Sequence, residues 1–161
     1  MYRMLLEFAN WLQNLPWVLS MGGSIWSFPF IQALHFTGLS LWVGTNVALD
    51  LHLLSIGKRT QTAAEFADAL FVWNWIGFAT VVTGGSLMFS INAVNYVQNP
   101  AFETKLGLLI PTALILHIFI QQKVKVWGRT LEVPTAGKVA GGVEALLWLC
   151  VALAAVVIPY F

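Results

Sequence analysis

Residues 26–56 read WSFPFIQALHFTGLSLWVGTNVALDLHLLSI, a long apolar run with polar residues at regular intervals. Pro29 suits a first helical turn, where its missing N–H costs nothing. The next proline is Pro100, so nothing in this stretch breaks a helix. At 1.5 Å per residue the run gives roughly 40 Å of helix, enough to cross a bilayer. With 100° per residue and His35 as origin, Gln32, Trp42, Asn46 and Asp50 fall within roughly 60° of it. His52 lies roughly 100° off that stripe. A polar stripe on so apolar a helix must turn away from lipid, so the stretch predicts a membrane bundle with an internal polar seam.

Composition supports this class. Of 161 residues, 58% are hydrophobic and only 9% charged, and the mean hydropathy is +0.77. Soluble domains carry about 25% charge, so the deficit points to several membrane spans. A net charge of +1 without a basic patch excludes a nucleic-acid partner. Cys150 is alone, which excludes a disulfide framework or a thiolate metal site. Polar residues from Glu7 to Asn14 interrupt any signal-peptide core.

The expected fold is all-α: a single membrane domain over residues 1–161, built as a four-helix bundle with an N-terminal amphipathic helix in the interface. Met4, Leu5, Phe8, Trp11, Leu12 and Leu15 share one face of residues 1–20, opposite Arg3, Glu7, Asn10 and Gln13. Spans are expected at about 28–56, 66–96, 100–125 and 138–161. Asn99 and Pro100 form an N-cap and first helical residue, with Glu103 in the first turn. Pro111 falls inside the third span and predicts a kink with a freed carbonyl. Lys58, Arg59, Lys123, Lys125, Arg129 and Lys138 crowd one side, against Arg3 and Lys105 on the other. Positive residues stay in the cytoplasm, so both termini are expected to be periplasmic.

Depth along the spans sorts the polar residues into two layers. From Pro29 and Pro100, His35 lies about 9 Å in and Lys105 about 7 Å in; His117 follows at about 25 Å and Asp50 at about 31 Å. Counted back from Tyr96, Met88 is about 12 Å in and Asn74 about 33 Å; Glu144 is about 9 Å from the cytoplasmic end. The outer layer is Gln32, His35, Lys105, Met88 and Asn92. The inner layer is Asp50, Asn74, His117 and Glu144, with His52 nearby.

Two readings of His35 stand open. It is either functional, as the axial ligand of a b-type haem iron with Gln32 holding its other nitrogen or as a group in proton exchange, or a neutral imidazole bonded to Gln32 or a neighbouring helix. Met88 and His117 are further candidate cofactor ligands, and Lys105 can steer a haem propionate. His35 and His117 differ by about 16 Å in depth, too far to clasp one haem. Asp50 and Glu144 either pair with His117 and relay protons or reach the interface to meet Lys58 or Arg59. Gly38, Gly44, Gly84 and Gly85 either make room for a macrocycle or let helices approach. The tryptophans, Trp148 among them, default to interfacial anchors; Trp42 near mid-span is the exception.

The segments SIWSFPFIQALHFTGLSLWVG (24–44), ALDLHLLSIG (48–57), WNWIGFATVVTGGSLMF (73–89), NPAFETKLGLL (99–109) and LLWLCVALAAVVIPYF (146–161) occur in that order. Together they resemble a group of small bacterial inner-membrane proteins of unknown function. That resemblance implies four spans in the inner membrane, and it matches the group at His35, Asp50 and Lys105. Gln32 stands where the group has glutamate, and His52 where it has arginine. The architecture is more loosely similar to copper-resistance membrane proteins and small b-type cytochromes, which implies haem or copper. The resulting expectation is a redox-associated membrane protein that binds b-type haem through His35 and transfers electrons within a larger complex. Its partners are then the lipid bilayer and either other membrane or periplasmic subunits or a second copy. The alternative expectation is a structural or assembly subunit whose seam only fixes helix packing.

Overall fold

The computed structural model describes residues 2–57 and 60–160. Lys58 and Arg59, two of the residues behind the expected orientation, lie outside the described residues. All regular structure among the described residues is helical. Two short helices, α1 (Tyr2–Gln13) and α2 (Pro16–Gly23), precede the long α3 (Ser27–Leu53) and α4 (Ala63–Ile91). A short α5 (Ala93–Val97) leads to α6 (Pro100–Leu108), which passes through a π-helical turn (Leu109–Leu114) into α7 (Ile115–Trp127). The last long helix, α8 (Thr135–Val157), ends in a 3₁₀ turn.

The helix ends arise from local chemistry. Thr62 caps α4 in a reciprocal box: its hydroxyl accepts from the Glu65 N–H, and its own N–H donates to Glu65 at 2.8 Å. Asn99 caps α6 with Pro100 at the first position, its Oδ1 accepting from the N–H groups of Ala101 and Phe102. The same side chain donates from Nδ2 to the Ile158 carbonyl at 2.9 Å, which brings the end of α8 level with the start of α6.

Two expected elements are divided. Residues 1–20 fold as two helices because Pro16 cannot continue α1. The stretch 66–96 breaks at Asn92, and the freed Val94 N–H donates to Gln13 Oε1 of α1 at 3.2 Å. That bond pins α1 across this end of the bundle. Pro111 sits in the π turn, where a widened helix accommodates a residue without an N–H. The Thr112 hydroxyl bonds back to the Leu108 carbonyl in the same turn.

Among the described residues, three helices are long and apolar enough to cross a membrane: Ala63–Ile91, Pro100–Trp127 and Thr135–Tyr160. Helix α3 has 27 residues, but Gln32, His35, Asn46, Asp50 and His52 dilute its apolar character.

Helix α3 packs on α4 through glycine. A Cβ on Gly38 would lie 2.4 Å from the Val81 nitrogen, one on Gly77 2.6 Å from the Trp42 nitrogen, and one on Gly84 2.8 Å from His35 Cα. Gly38 and Gly84 are therefore occupied by helix contact, and Gly44 faces open space. Two apolar clusters fill the interior. Trp42, Val81, Ala113 and Trp148 pack at mid-height. Leu49, Leu53, Ala63, Ala67, Ile120, Val124 and Val133 close the end that bears the loop before α8. Trp148 thus belongs to the core at 3% exposure, a correction to its default as an interfacial anchor. The cause is its contact with Trp42, whose ring centroid is 4.8 Å away.

Polar and apolar surfaces are inverted relative to a water-soluble domain. Asn46, Asp50, Asn74, His117 and Glu144 are buried, while Phe30, Val72, Ile115, Leu146 and Val156 are more than half exposed.

Candidate functional site

The polar seam of α3 meets polar residues from α4, α7 and α8 just below Trp42. His117 of α7 is the centre. Its Nδ1 lies 2.9 Å from Glu144 Oε1 on α8, and its Nε2 lies 3.0 Å from Asn74 Oδ1 on α4. Asn74 in turn donates from Nδ2 to Thr45 Oγ1 at 2.9 Å and to Asn46 Oδ1, both on α3. The Thr45 hydroxyl donates onward to the carbonyls of Leu41 and Trp42. These donors leave Asn74 only its oxygen for the histidine. Glu144 Oε1 also accepts from the Trp148 indole at 3.3 Å. Four helices are thereby joined through one chain of hydrogen bonds.

The proton count of this network is informative. Both ring nitrogens of His117 face oxygens, so each contact calls for a hydrogen. Nε2–H supplies one. The other lies between Nδ1 and Glu144, either on the ring, giving an imidazolium–carboxylate pair, or on the carboxyl, giving a neutral pair. Both arrangements carry zero net charge, and they differ by a shift of one proton along a 2.9 Å contact.

Asp50 departs from this pattern. It is one turn along α3 from Asn46, is 0% exposed, and neither oxygen has a hydrogen-bond partner. The Glu144 carboxyl faces it, close enough for a hydrogen bond once a proton is held between the two. Two carboxyls together in a dry interior cannot both stay ionised without a cost of several kcal/mol per ion, so this pair requires a proton, water or cation. The expected inner layer of Asp50, Asn74, His117 and Glu144 is thus gathered in one place. Asp50 and Glu144 are both buried within the bundle.

The centre is closed at both ends. Above it, the Trp42 ring packs edge-on against Phe78 at 5.0 Å and Trp148 at 4.8 Å. Below it lie Leu49, Leu53, Ile120 and Val124.

The outer layer is separate. His35 Nδ1–H donates to the Val81 carbonyl of α4 at 2.9 Å, a bond to the neighbouring helix and not to Gln32. The ring lies against Gly85, with Cε1 3.1 Å and Nδ1 3.3 Å from where a Cβ would stand, so any larger residue there would push it away. Lys105 is close enough for its charge to act on this ring. Gln32 and Met88 are half-buried on α3 and α4. His52 is half-buried, its ring stacked on Phe66 at 4.6 Å. His117 and His35 are not brought together: Trp42 lies between their layers, and His117 spends both nitrogens in the inner network.

No protein-family model, curated protein or solved structure matches the chain. Among the described residues, no group of three or more His, Cys, Asp or Glu side chains is placed to hold a metal ion.

Thr45, Gln121 and Trp148 also join or flank the network. Gln121 and Trp148 stand four residues after His117 and Glu144, one turn along the same helix face, and Gln121 Nε2 is 3.5 Å from His117 Nε2. That spacing is the sequence signal by which both were readable.

Proposed function

We propose that the chain is a four-span bacterial inner-membrane protein that holds and transfers a proton at the Asp50–Glu144–His117 centre. The inverted surface supports the membrane reading, because lipid accepts exposed Phe30, Ile115 and Leu146 whereas water does not. In that reading α3 is the fourth span, its polar stripe turned inward. Lys123, Lys125, Arg129 and Lys138 face the cytoplasm, and both termini face the periplasm.

The observation that carries the proton reading is Asp50. A network serving only to lock helices would place a donor beside each buried acceptor; two buried carboxyls that face each other are joined only when a proton is held between them. Such a pair becomes useful where a proton is taken up and handed on. Infrared spectroscopy of the reconstituted protein tests this. A protonated-carboxyl band is expected at neutral pH, responsive to bulk pH and lost or shifted in both Asp50→Asn and Glu144→Gln. A wild-type spectrum without such a band, or with one unmoved in both variants, leaves the structural-subunit reading in its place.

A second reading, b-type haem on His35 within an electron-transfer complex, is favoured by one contact. The bond from Nδ1–H to Val81 fixes the ring and leaves the Nε2 lone pair available to a metal. The chain alone supplies only part of such a site. One surface cavity is lined by Trp26, Ser27, Pro29 and Phe30, another lies between α3, α6 and α8, and His35 lines neither. A haem would therefore need a wall from a second subunit. A Soret band in haem-replete membranes, abolished by His35→Ala and kept in His117→Ala, is the expected result of this reading. A colourless, folded protein removes it without touching the proton centre.

A further inference from the structure

A cavity of about 270 Å³ opens between α3, α6 and α8, lined by Ser40 and Gly44, by Lys105, and by Trp148, Val151 and Ala155 among others. Its walls are apolar except at two side chains. Lys105 is half-buried and enters no ion pair or hydrogen bond among the described residues. Ser40 likewise makes none, although Thr37 and Thr45 on the same helix bond back to backbone carbonyls at 2.8 and 2.9 Å. Two donors without acceptors thus line one apolar cleft.

Their height matters. Asn99 ties the start of α6 to Ile158, so Lys105 lies about 9 Å below that level, Ala155 about 5 Å and Trp148 about 15 Å. The cleft therefore runs inward along the helices from the ends that bear the chain termini, with its cation nearer the top than the bottom. A lysine at that depth extends its stem toward the interface and presents its ammonium near the level of lipid phosphates.

We propose that this cleft binds an anionic phospholipid, its phosphate on Lys105 and one acyl chain laid between α3 and α8, past Ser40 and down to Trp148. The volume is below the roughly 300–1,000 Å³ of sites that enclose a whole drug-sized ligand, and it suits a single chain whose remainder stays in the bilayer. The site shares no titrating residue with the Asp50–Glu144–His117 centre and rests only on the membrane reading.

Native mass spectrometry of the delipidated full chain, given phosphatidylglycerol, phosphatidylcholine or oleate, tests the proposal. The wild type is expected to retain phosphatidylglycerol several-fold more than phosphatidylcholine. Lys105→Met, which keeps the stem and loses the charge, should fall to the phosphatidylcholine level, and Lys105→Arg should restore retention. Gly44→Leu leaves Lys105 in place but fills the cleft, since a Cβ there meets nothing within 4 Å. It should lose the lipid as well, and thermal unfolding in detergent checks that each variant is folded. Gly44→Ala, the gentler change, serves if the leucine variant does not fold and should show a partial loss. Equal phosphatidylglycerol retention in wild type and Lys105→Met overturns the proposal. Unchanged retention in the folded Gly44 variants overturns the cleft, and preference for oleate overturns the phospholipid.

Discussion

Glu144→Ala is expected to lower the stability of the detergent-solubilised protein by about 3–5 kcal/mol, as removal of one partner from a buried charged pair does elsewhere. The substitution strands the Trp148 indole N–H and takes away the partner of His117 Nδ1 in a buried site. It also removes the carboxyl that faces Asp50, a relief that offsets part of the loss. Glu144→Gln retains an oxygen at that position and should lose clearly less, about 1–2 kcal/mol. Thermal or chemical unfolding of both variants checks the difference. Equal and mild losses would mean that the His117–Glu144 contact contributes little to the bundle.

Trp42→Ala is expected to have a comparable effect for a different reason. Trp42 is 4% exposed and fills the level between the two polar layers, touching Phe78 and Trp148 with edge-on geometry. Truncating a buried tryptophan costs about 3–5 kcal/mol in soluble cores. In a bilayer the solvent-transfer share shrinks while lost packing remains, so about 3 kcal/mol is the expected loss here. The cavity would also open the centre toward His35 and Lys105. Hydrogen–deuterium exchange of the protonated carboxyl should then quicken severalfold, and Trp42→Phe should restore much of both properties. Exchange at the wild-type rate in Trp42→Ala would show that the aromatic layer is not the barrier.

The parts of this arrangement legible in sequence are those governed by helical period. The 100° count turned Trp42, Asn46 and Asp50 to one face, and all three are buried. Depth counting put Asp50, Asn74, His117 and Glu144 at one level, because four roughly antiparallel rods of known rise leave little freedom in height. Asn99 and Pro100 were readable as a cap because the chemistry is local. What escaped was whatever depends on a backbone atom of another helix. Val81 accepts from His35 through its carbonyl, which any residue type would offer. The break at Asn92 depends on Gln13, 81 residues away from the N–H it satisfies. Trp148 read as an anchor because tryptophan is enriched at interfaces, and only its meeting with Trp42 reassigns it.

The π turn at Leu109–Leu114 bears on tolerance to insertion and deletion. A π turn is in effect a one-residue insertion absorbed within a helix, and each residue rotates the downstream helix by about 100°. Lys105 before the turn and His117 after it are twelve residues apart, which a regular helix would set about 120° apart and which the widened turn draws back toward one side. Loss of a single residue between 109 and 114 would let the helix close to a regular α form while His117 keeps its bearing toward Glu144 and Asn74. The segment is therefore expected to tolerate the loss of one residue better than the gain of one, which would rotate everything downstream by about 100°.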